Sequence, residues 1–227
     1  MKYSHIIWDW NGTLIDDARI CVDLVNEILD EFNLERVTIS YYLNNFSFPV
    51  KSYYASLGLP IDSKNYKALS EKFIINYRLS FPNCKLQKGV RKCLQYFQRN
   101  SIKQSVLSAW NQKDLNNFIS FHNLSPFFDF ASGVNDVFAR GKAELAKHHF
   151  NKIGLAASEV LLVGDTLHDA EVATELGLNC ILFSGGHNSK ELLLKPSYPV
   201  IESLEELSNW VQDWPQFYIV YQFYIHE

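Results

Sequence analysis

IIWDWNGTLID, residues 6–16, is the stretch on which the reading of this 227-residue chain turns. Isoleucines and tryptophans crowd one carboxylate, Asp9, and Asn11-Gly12-Thr13 then breaks the run. A short apolar segment rich in β-branched and aromatic residues reads as a buried strand over 5–10. Gly12 supplies the backbone freedom to turn directly after it and to bring N–H groups towards an anion. An acid at the tip of a buried strand is a candidate site residue, and Asn11 is an amide where a second acid would make more chemical sense.

Downstream, Ala18, Val22, Val25 and Leu29 recur at helical spacing, with Asp16 or Asp17 placed to cap the helix. Helical patterning continues to about residue 81, broken by SFP at 47–49 and SLGLP at 56–60. From there the pattern alternates. Helices are expected over 88–100, from 111, over 141–154, 168–177 and 203–214, with Gly177 as a C-cap. Strands are expected over 104–110, 127–132, 159–165 and 179–185. Such alternation packs as a parallel sheet covered on both faces. The predicted fold is α/β: a Rossmann-like parallel sheet core (1–14 and 86–227) with helices on both faces and an inserted all-helical cap (15–85).

Hydrophobic residues make up 47% of the chain, a globular value, and 21 basic against 25 acidic residues give a net charge of −4. That balance gives no reason to expect a nucleic acid partner. The basic cluster Lys88, Arg91, Lys92, Arg99 and Lys103 reads as a solvated helix face. Four cysteines without metal-like spacing suggest reduced thiols and a cytoplasmic protein. The start meets Asp9 too soon for a signal peptide, and no apolar run is long enough for a membrane span. The segment 217–225 carries five aromatics between Phe217 and Tyr224 and is expected to pack on the core or on a second copy. Monomer and homodimer both remain open.

In a parallel sheet the carboxyl ends of the strands converge on one crevice. The first strand gives Asp9 and, just beyond it, Asn11 and Thr13; the second gives Ser108; the fourth gives Asp165, with Asp169 four residues later. Lys142 opens the helix after the third. Asp9 and Asp165 offer the hard oxygen ligands magnesium requires. Serine and lysine suit phosphoryl oxygens, and a carboxylate facing a polarised phosphoryl group can attack it.

The ordered set resembles the haloacid dehalogenase-like hydrolases, mostly phosphatases, over nearly the full chain. The motifs stand as DWNGT (9–13), Ser108 in VLSA (106–109), Lys142 in GKAELA and GDTLHD (164–169). The insert after the first motif resembles the small cap of the phosphoglycolate phosphatase-like branch. The resemblance implies Asp9 as nucleophile and Mg2+ ligand, with the Asn11 carbonyl, Asp165 and Asp169 completing the metal set. Thr13 supports the nucleophile loop. Ser108 and Lys142, with Gly12, Thr13 and Ala109 beside them, hold the phosphate of a small phosphorylated metabolite. His168 and His187 have no metal-like companions and stand outside the expected site.

The resemblance fails at Asn11, where family phosphatases carry an aspartate that protonates the leaving oxygen. An amide cannot act as that acid, and such help is typically worth about 10²–10⁴-fold. Two functions follow: a magnesium-dependent phosphatase favouring good leaving groups, or a catalytically weak relative that binds a phospholigand. Asn11→Asp is expected to restore activity on alkyl phosphates. Dehalogenation suits the metal pair poorly, and the insert offers no identifiable Schiff-base lysine for a phosphonatase.

Overall fold

The computed structural model describes residues 2–134 and 142–212, and the side chains of 142 and 143 lie outside it. The expected aromatic segment 217–225 falls outside the described residues.

β1 (His5–Trp8) is the centre of the molecule, buried at all four positions. It pairs in parallel with β4 (Lys103–Asn111) on one side and β6 (Val160–Gly164) on the other. Outside these lie β5 (Phe130–Val134), β7 (Asn179–Phe183) and β8 (Val200–Ile201), giving the order β5-β4-β1-β6-β7-β8. The chain works outward from β1 through β4 to β5, then returns beside β1 as β6 and works outward the other way. The reversal therefore lies between β1 and β6, which is where such sheets open a crevice at their carboxyl ends.

Alternation along each strand sorts side chains between two apolar layers. Ile6, Trp8, Leu161 and Val163 enter one layer, and Ile7, Leu107, Val160 and Leu162 enter the other. Both faces are covered, so these strands read in the sequence as continuous apolar runs rather than as alternating ones.

Between β2 (Ile15–Asp16) and β3 (Lys85–Leu86) the chain is helical: α1 (Ala18–Glu31), α2 (Ile39–Asn45), α3 (Val50–Ser56) and α4 (Ser63–Ser80). Thr38 caps α2 through Tyr41 N–H, and Asp62 caps α4 through the N–H groups of Lys64 and Asn65. β2 and β3 pair antiparallel, which brings the two ends of this helical segment together beside the sheet. The remaining helices are α5 (Val90–Arg99), α6 (Gln112–Phe121), α7 (Lys142–Ile153), α8 (Leu167–Leu176) and α9 (Lys190–Leu193). α5 buries Val90, Cys93, Leu94 and Phe97 at helical spacing, while Lys88, Arg91, Lys92, Arg99 and Lys103 are all exposed. Gly177 ends α8 in the left-handed conformation, as its position predicts.

Some boundaries differ from expectation. The strand expected over 127–132 is β5, starting at Phe130, because Ser125–Phe127 with its proline forms a 3-10 turn first. The helix expected over 203–214 begins as a 3-10 turn at Leu204–Glu206, and residues 207–212 continue as α-helix. β2, β3 and β8 were not expected. No helix among the described residues is long and apolar enough to cross a membrane.

Candidate active site

Asp9 stands one residue beyond β1 and Asp165 one beyond β6, so adjacent parallel strands set their carboxylates side by side. Asp169 joins them from the first turn of α8. All three are buried, and their ligand oxygens lie within 4.8 Å of one another. Burial raises the Asp165 carboxyl above its ordinary range, and the charge of Asp169 adds to the rise; His187 and the hydrogen bond from Thr13 work the other way. Three buried acids this close form a hard-oxygen donor set that a divalent cation of the magnesium class fits.

The surroundings hold these acids in place. Thr13 Oγ1 donates to Asp165 Oδ1 at 2.7 Å, and His187 N–H donates to Oδ2 at 2.6 Å. Asp169 Oδ2 accepts from Asp165 N–H, from Thr166 N–H and from Thr166 Oγ1. One oxygen of Asp169 thus caps α8. Gly12, at φ +70°, passes so close that a Cβ there would lie 2.1 Å from Asp165 Oδ2. A Cβ on Gly186 would lie equally close, so only glycine lets both loops approach this carboxylate.

Ser108 ends the buried run of β4, and its Oγ accepts from Trp110 N–H at 3.2 Å, leaving its own hydrogen to donate. Asp9, Asn11, Ser108 and Ala109 line one cavity, of about 340 Å³, that extends from the strand ends into the helical segment. Lys142 opens α7, as expected from the sequence, and its side chain lies outside the described residues.

The surroundings of Asn11 centre on a residue that sequence reasoning placed elsewhere. Asp17 occupies the N-cap position of α1, yet its side chain makes no cap hydrogen bond. It turns inward and is buried. Asp17 Oδ2 accepts from Asn11 Nδ2 at 2.6 Å and from Tyr77 Oη at 2.7 Å. Oδ1 accepts from Gly12 N–H at 2.9 Å and meets His187 Nε2 at 3.1 Å. The anion met by the Gly12 amide is therefore the protein's own carboxylate. Asn11 Nδ2 also donates to Tyr77 Oη at 2.9 Å, so both amide hydrogens are engaged and only Oδ1 remains to act on a ligand.

His187 is the second residue missed. Its Nδ1 meets Tyr42 Oη at 2.9 Å. Burial works against its protonation, but the Asp17 carboxylate it bonds, with Asp165 and Asp9 behind it, raises the imidazole to about 9. Burial likewise opposes ionisation of Asp17, and the charge and hydrogen bond of His187, with those of Tyr77 and Asn11, outweigh it and lower that carboxyl. The result is a buried ion pair beside the three acids. The same loop anchors the helical segment: Ser189 N–H donates to Leu43 O and Asn188 Nδ2 to Phe46 O. The signal for His187 was its place in GGHNS, directly after a strand end. His168 pairs with Glu171 and lies against Phe48.

Comparison with known proteins agrees with this geometry. The profile described as haloacid dehalogenase-like hydrolase matches residues 6–183. A phosphoglycolate phosphatase of Synechococcus elongatus is 21% identical over 189 residues, covering 83% of this chain and 87% of that protein. One from Pseudomonas syringae pv. tomato is 24% identical over 192 residues, covering 81% and 70%. Among solved structures, a predicted phosphatase from Clostridium acetobutylicum superposes with a TM-score of 0.82 at 18% identity, covering 94% of this chain and 100% of that one. A haloacid dehalogenase-like family hydrolase from Streptococcus pneumoniae gives a TM-score of 0.76 at 18% identity, covering 92% and 99%. The four motifs named above, from DWNGT at 9–13 to GDTLHD at 164–169, all lie within residues 6–183, and the chain belongs to the haloacid dehalogenase-like hydrolases.

Proposed function

We propose that the protein is a magnesium-dependent phosphatase of a small phosphomonoester, working through an aspartyl phosphate on Asp9. The observation that carries this is the convergence of Asp9, Asp165 and Asp169 within 4.8 Å at the carboxyl ends of β1 and β6. Asp9, Asp165, Asp169 and the backbone carbonyl of Asn11 would hold Mg2+. When bound, the cation neutralises phosphoryl charge and offsets the mutual repulsion of the acids.

The chain's own residues do the rest. Asp9 bonds to phosphorus as the bond to the leaving oxygen breaks, that oxygen keeping the electron pair. Ser108 donates to a phosphoryl oxygen, with Ala109 beside it, and Lys142 supplies a cation from the start of α7. Thr13 and His187 N–H keep Asp165 from turning away. Water then attacks phosphorus and releases phosphate and the Asp9 carboxylate. The helical segment serves as a cap over the leaving-group side, and the relatives named phosphoglycolate phosphatase support the reaction class.

A second reading is favoured by Asn11. With both amide hydrogens engaged by Asp17 and Tyr77, it supplies no proton, which suits a relative that binds a phospholigand with little turnover. Phosphate release from acetyl phosphate and a panel of phosphomonoesters, with and without Mg2+, separates the two. Magnesium-dependent turnover that Asp9→Asn abolishes supports the phosphatase. Tight binding without turnover supports the alternative.

A further inference from the structure

The wall of the cavity beyond Asp9 is aromatic. Tyr42, Phe46, Phe48, Tyr53, Tyr54 and Phe73 line it from the helical segment. Among the described residues lining it, only Arg78 and His187 are basic, and both are committed. Arg78 donates from Nε to Asp114 Oδ1 at 3.0 Å and from Nη2 to Oδ2 at 2.7 Å, a two-pronged pair that carries no net charge. His187 has one ring nitrogen against Asp17 and the other against Tyr42. A leaving group bearing its own carboxylate or second phosphate would enter an apolar wall with no described cation free to meet it.

A second, independent observation concerns the leaving oxygen. Asn11 Nδ2 is saturated by Asp17 and Tyr77, so the position where a proton donor would stand presents only a carbonyl oxygen. An alkoxide is about as basic as hydroxide and departs poorly without a proton. A phenoxide, with a conjugate acid near the ordinary tyrosine value of about 10, departs without one. The size of the space agrees: a cavity of ~150 Å³ already admits benzene, and this one encloses about 340 Å³ together with the phosphate end.

We propose that the substrate class is aryl phosphate monoesters, a one- or two-ring phenol esterified to phosphate, with the ring seated against the aromatic wall. This inference rests on the phosphatase reading above and names its substrate class. An Asp9 oxygen–phosphorus bond forms, the phosphorus–aryl oxygen bond breaks and the phenoxide leaves with the electron pair. It takes its proton from solvent. Water then cleaves the aspartyl phosphate, so one aryl phosphate and one water give one phenol and one phosphate.

The test compares kcat/KM with Mg2+ for 1-naphthyl phosphate, cyclohexyl phosphate and phosphoglycolate, on wild type and Asp114→Asn. The aryl ester should exceed the cyclohexyl ester by about 10²–10⁴-fold, the usual worth of the missing acid. It should exceed phosphoglycolate by at least 100-fold, and Asp114→Asn, which frees the Arg78 charge, should shrink that second ratio at least tenfold. Cyclohexyl phosphate or phosphoglycolate turning over as fast as the aryl ester overturns the inference, while leaving the phosphatase reading intact; so does an unchanged ratio in Asp114→Asn. If nothing is hydrolysed, acetyl phosphate included, the phosphatase reading fails. Calorimetry with Mg2+ then decides the aryl preference by itself. Binding of 1-naphthylphosphonate at least tenfold tighter than phosphonoacetate upholds it, and equal or reversed affinities overturn it.

Discussion

Asn11 and Asp17 form a pair whose chemistry fixes what either can become. Asn11→Asp would set a second carboxylate where the amide nitrogen now lies 2.6 Å from Asp17 Oδ2. Two full charges at that separation repel by about 6 kcal/mol at an effective dielectric constant of ~20, and the lost amide donors remove roughly 1 kcal/mol each. His187 offsets part of this, leaving an expected loss of about 3–5 kcal/mol, within the usual range for breaking a buried charge pair. Asp17→Asn alone strips His187 of its buried counter-ion and should cost a similar amount. The exchanged double variant, Asn11→Asp with Asp17→Asn, keeps one carboxylate, one amide and the hydrogen bond between them. Urea denaturation of the four proteins at pH 7.5 should therefore show the double variant at least 2 kcal/mol more stable than the singles sum to. The new acid has its folded-state pKa raised above its unfolded value, so the deficit of Asn11→Asp is full above that folded pKa and fades as pH falls below it. Single effects that add within about 0.5 kcal/mol would refute the network. The sequence alone suggested Asn11→Asp as the activating change on alkyl phosphates; the structure assigns that result to the exchanged pair instead, because only there is position 11 free of a facing carboxylate.

A buried chain of hydrogen bonds links His5 Nε2 to Ser105 Oγ, then to His149 Nε2, whose Nδ1 meets Ser132 Oγ. Burial lowers His5 to about 4 and His149 to about 3. Folded values below the unfolded ~6.5 mean that stability is lost as pH falls from about 6.5 towards 4, by roughly 2 kcal/mol per histidine at pH 5. His149→Gln should flatten this slope in denaturation curves between pH 7 and 5, and an unchanged slope would rule the pair out as its source. Gly12→Ala drives a methyl group into Asp165 at a positive φ. It should abolish turnover and weaken Mg2+ binding by calorimetry; near-normal values for both would contradict the packing argument. Asp165→Asn should weaken Mg2+ binding at least tenfold, whereas affinity equal to wild type would place the cation elsewhere.

The sheet was legible because its inner strands are buried on both faces and read as apolar runs closed by an acid or glycine. HIIW before Asp9 and VLLVG before Asp165 each end where the chain must turn out of the core. Convergence of strand ends then brought Asp9, Ser108, Asp165 and Asp169 together without any knowledge of side-chain contacts. β2, β3 and β8 have two residues each, too few for any periodicity to show. Asp17 was read, with Asp16 as the alternative, as a candidate helix cap because its position satisfies that role locally. What distinguishes it comes from Tyr77, 60 residues away, and His187, 170 away. Asn11 was visible as an amide, but its orientation was not, since Asp17 and Tyr77 set it. The aromatic wall was not legible in the sequence, because Tyr42, Phe46, Phe48 and Tyr53 come together only once α2, α3 and the turn between them are placed.

The claim on which all of this depends is that Asp9 carries the covalent step. Acid-quenched single turnover with 32P-labelled 1-naphthyl phosphate and Mg2+, followed by peptide mapping, tests it directly, with labelled acetyl phosphate as a second donor. The account predicts transient label on the peptide containing Asp9, lost on hydroxylamine treatment as an acyl phosphate should be, and none in Asp9→Asn. Turnover with no protein-bound label, or with label on another residue, would contradict it.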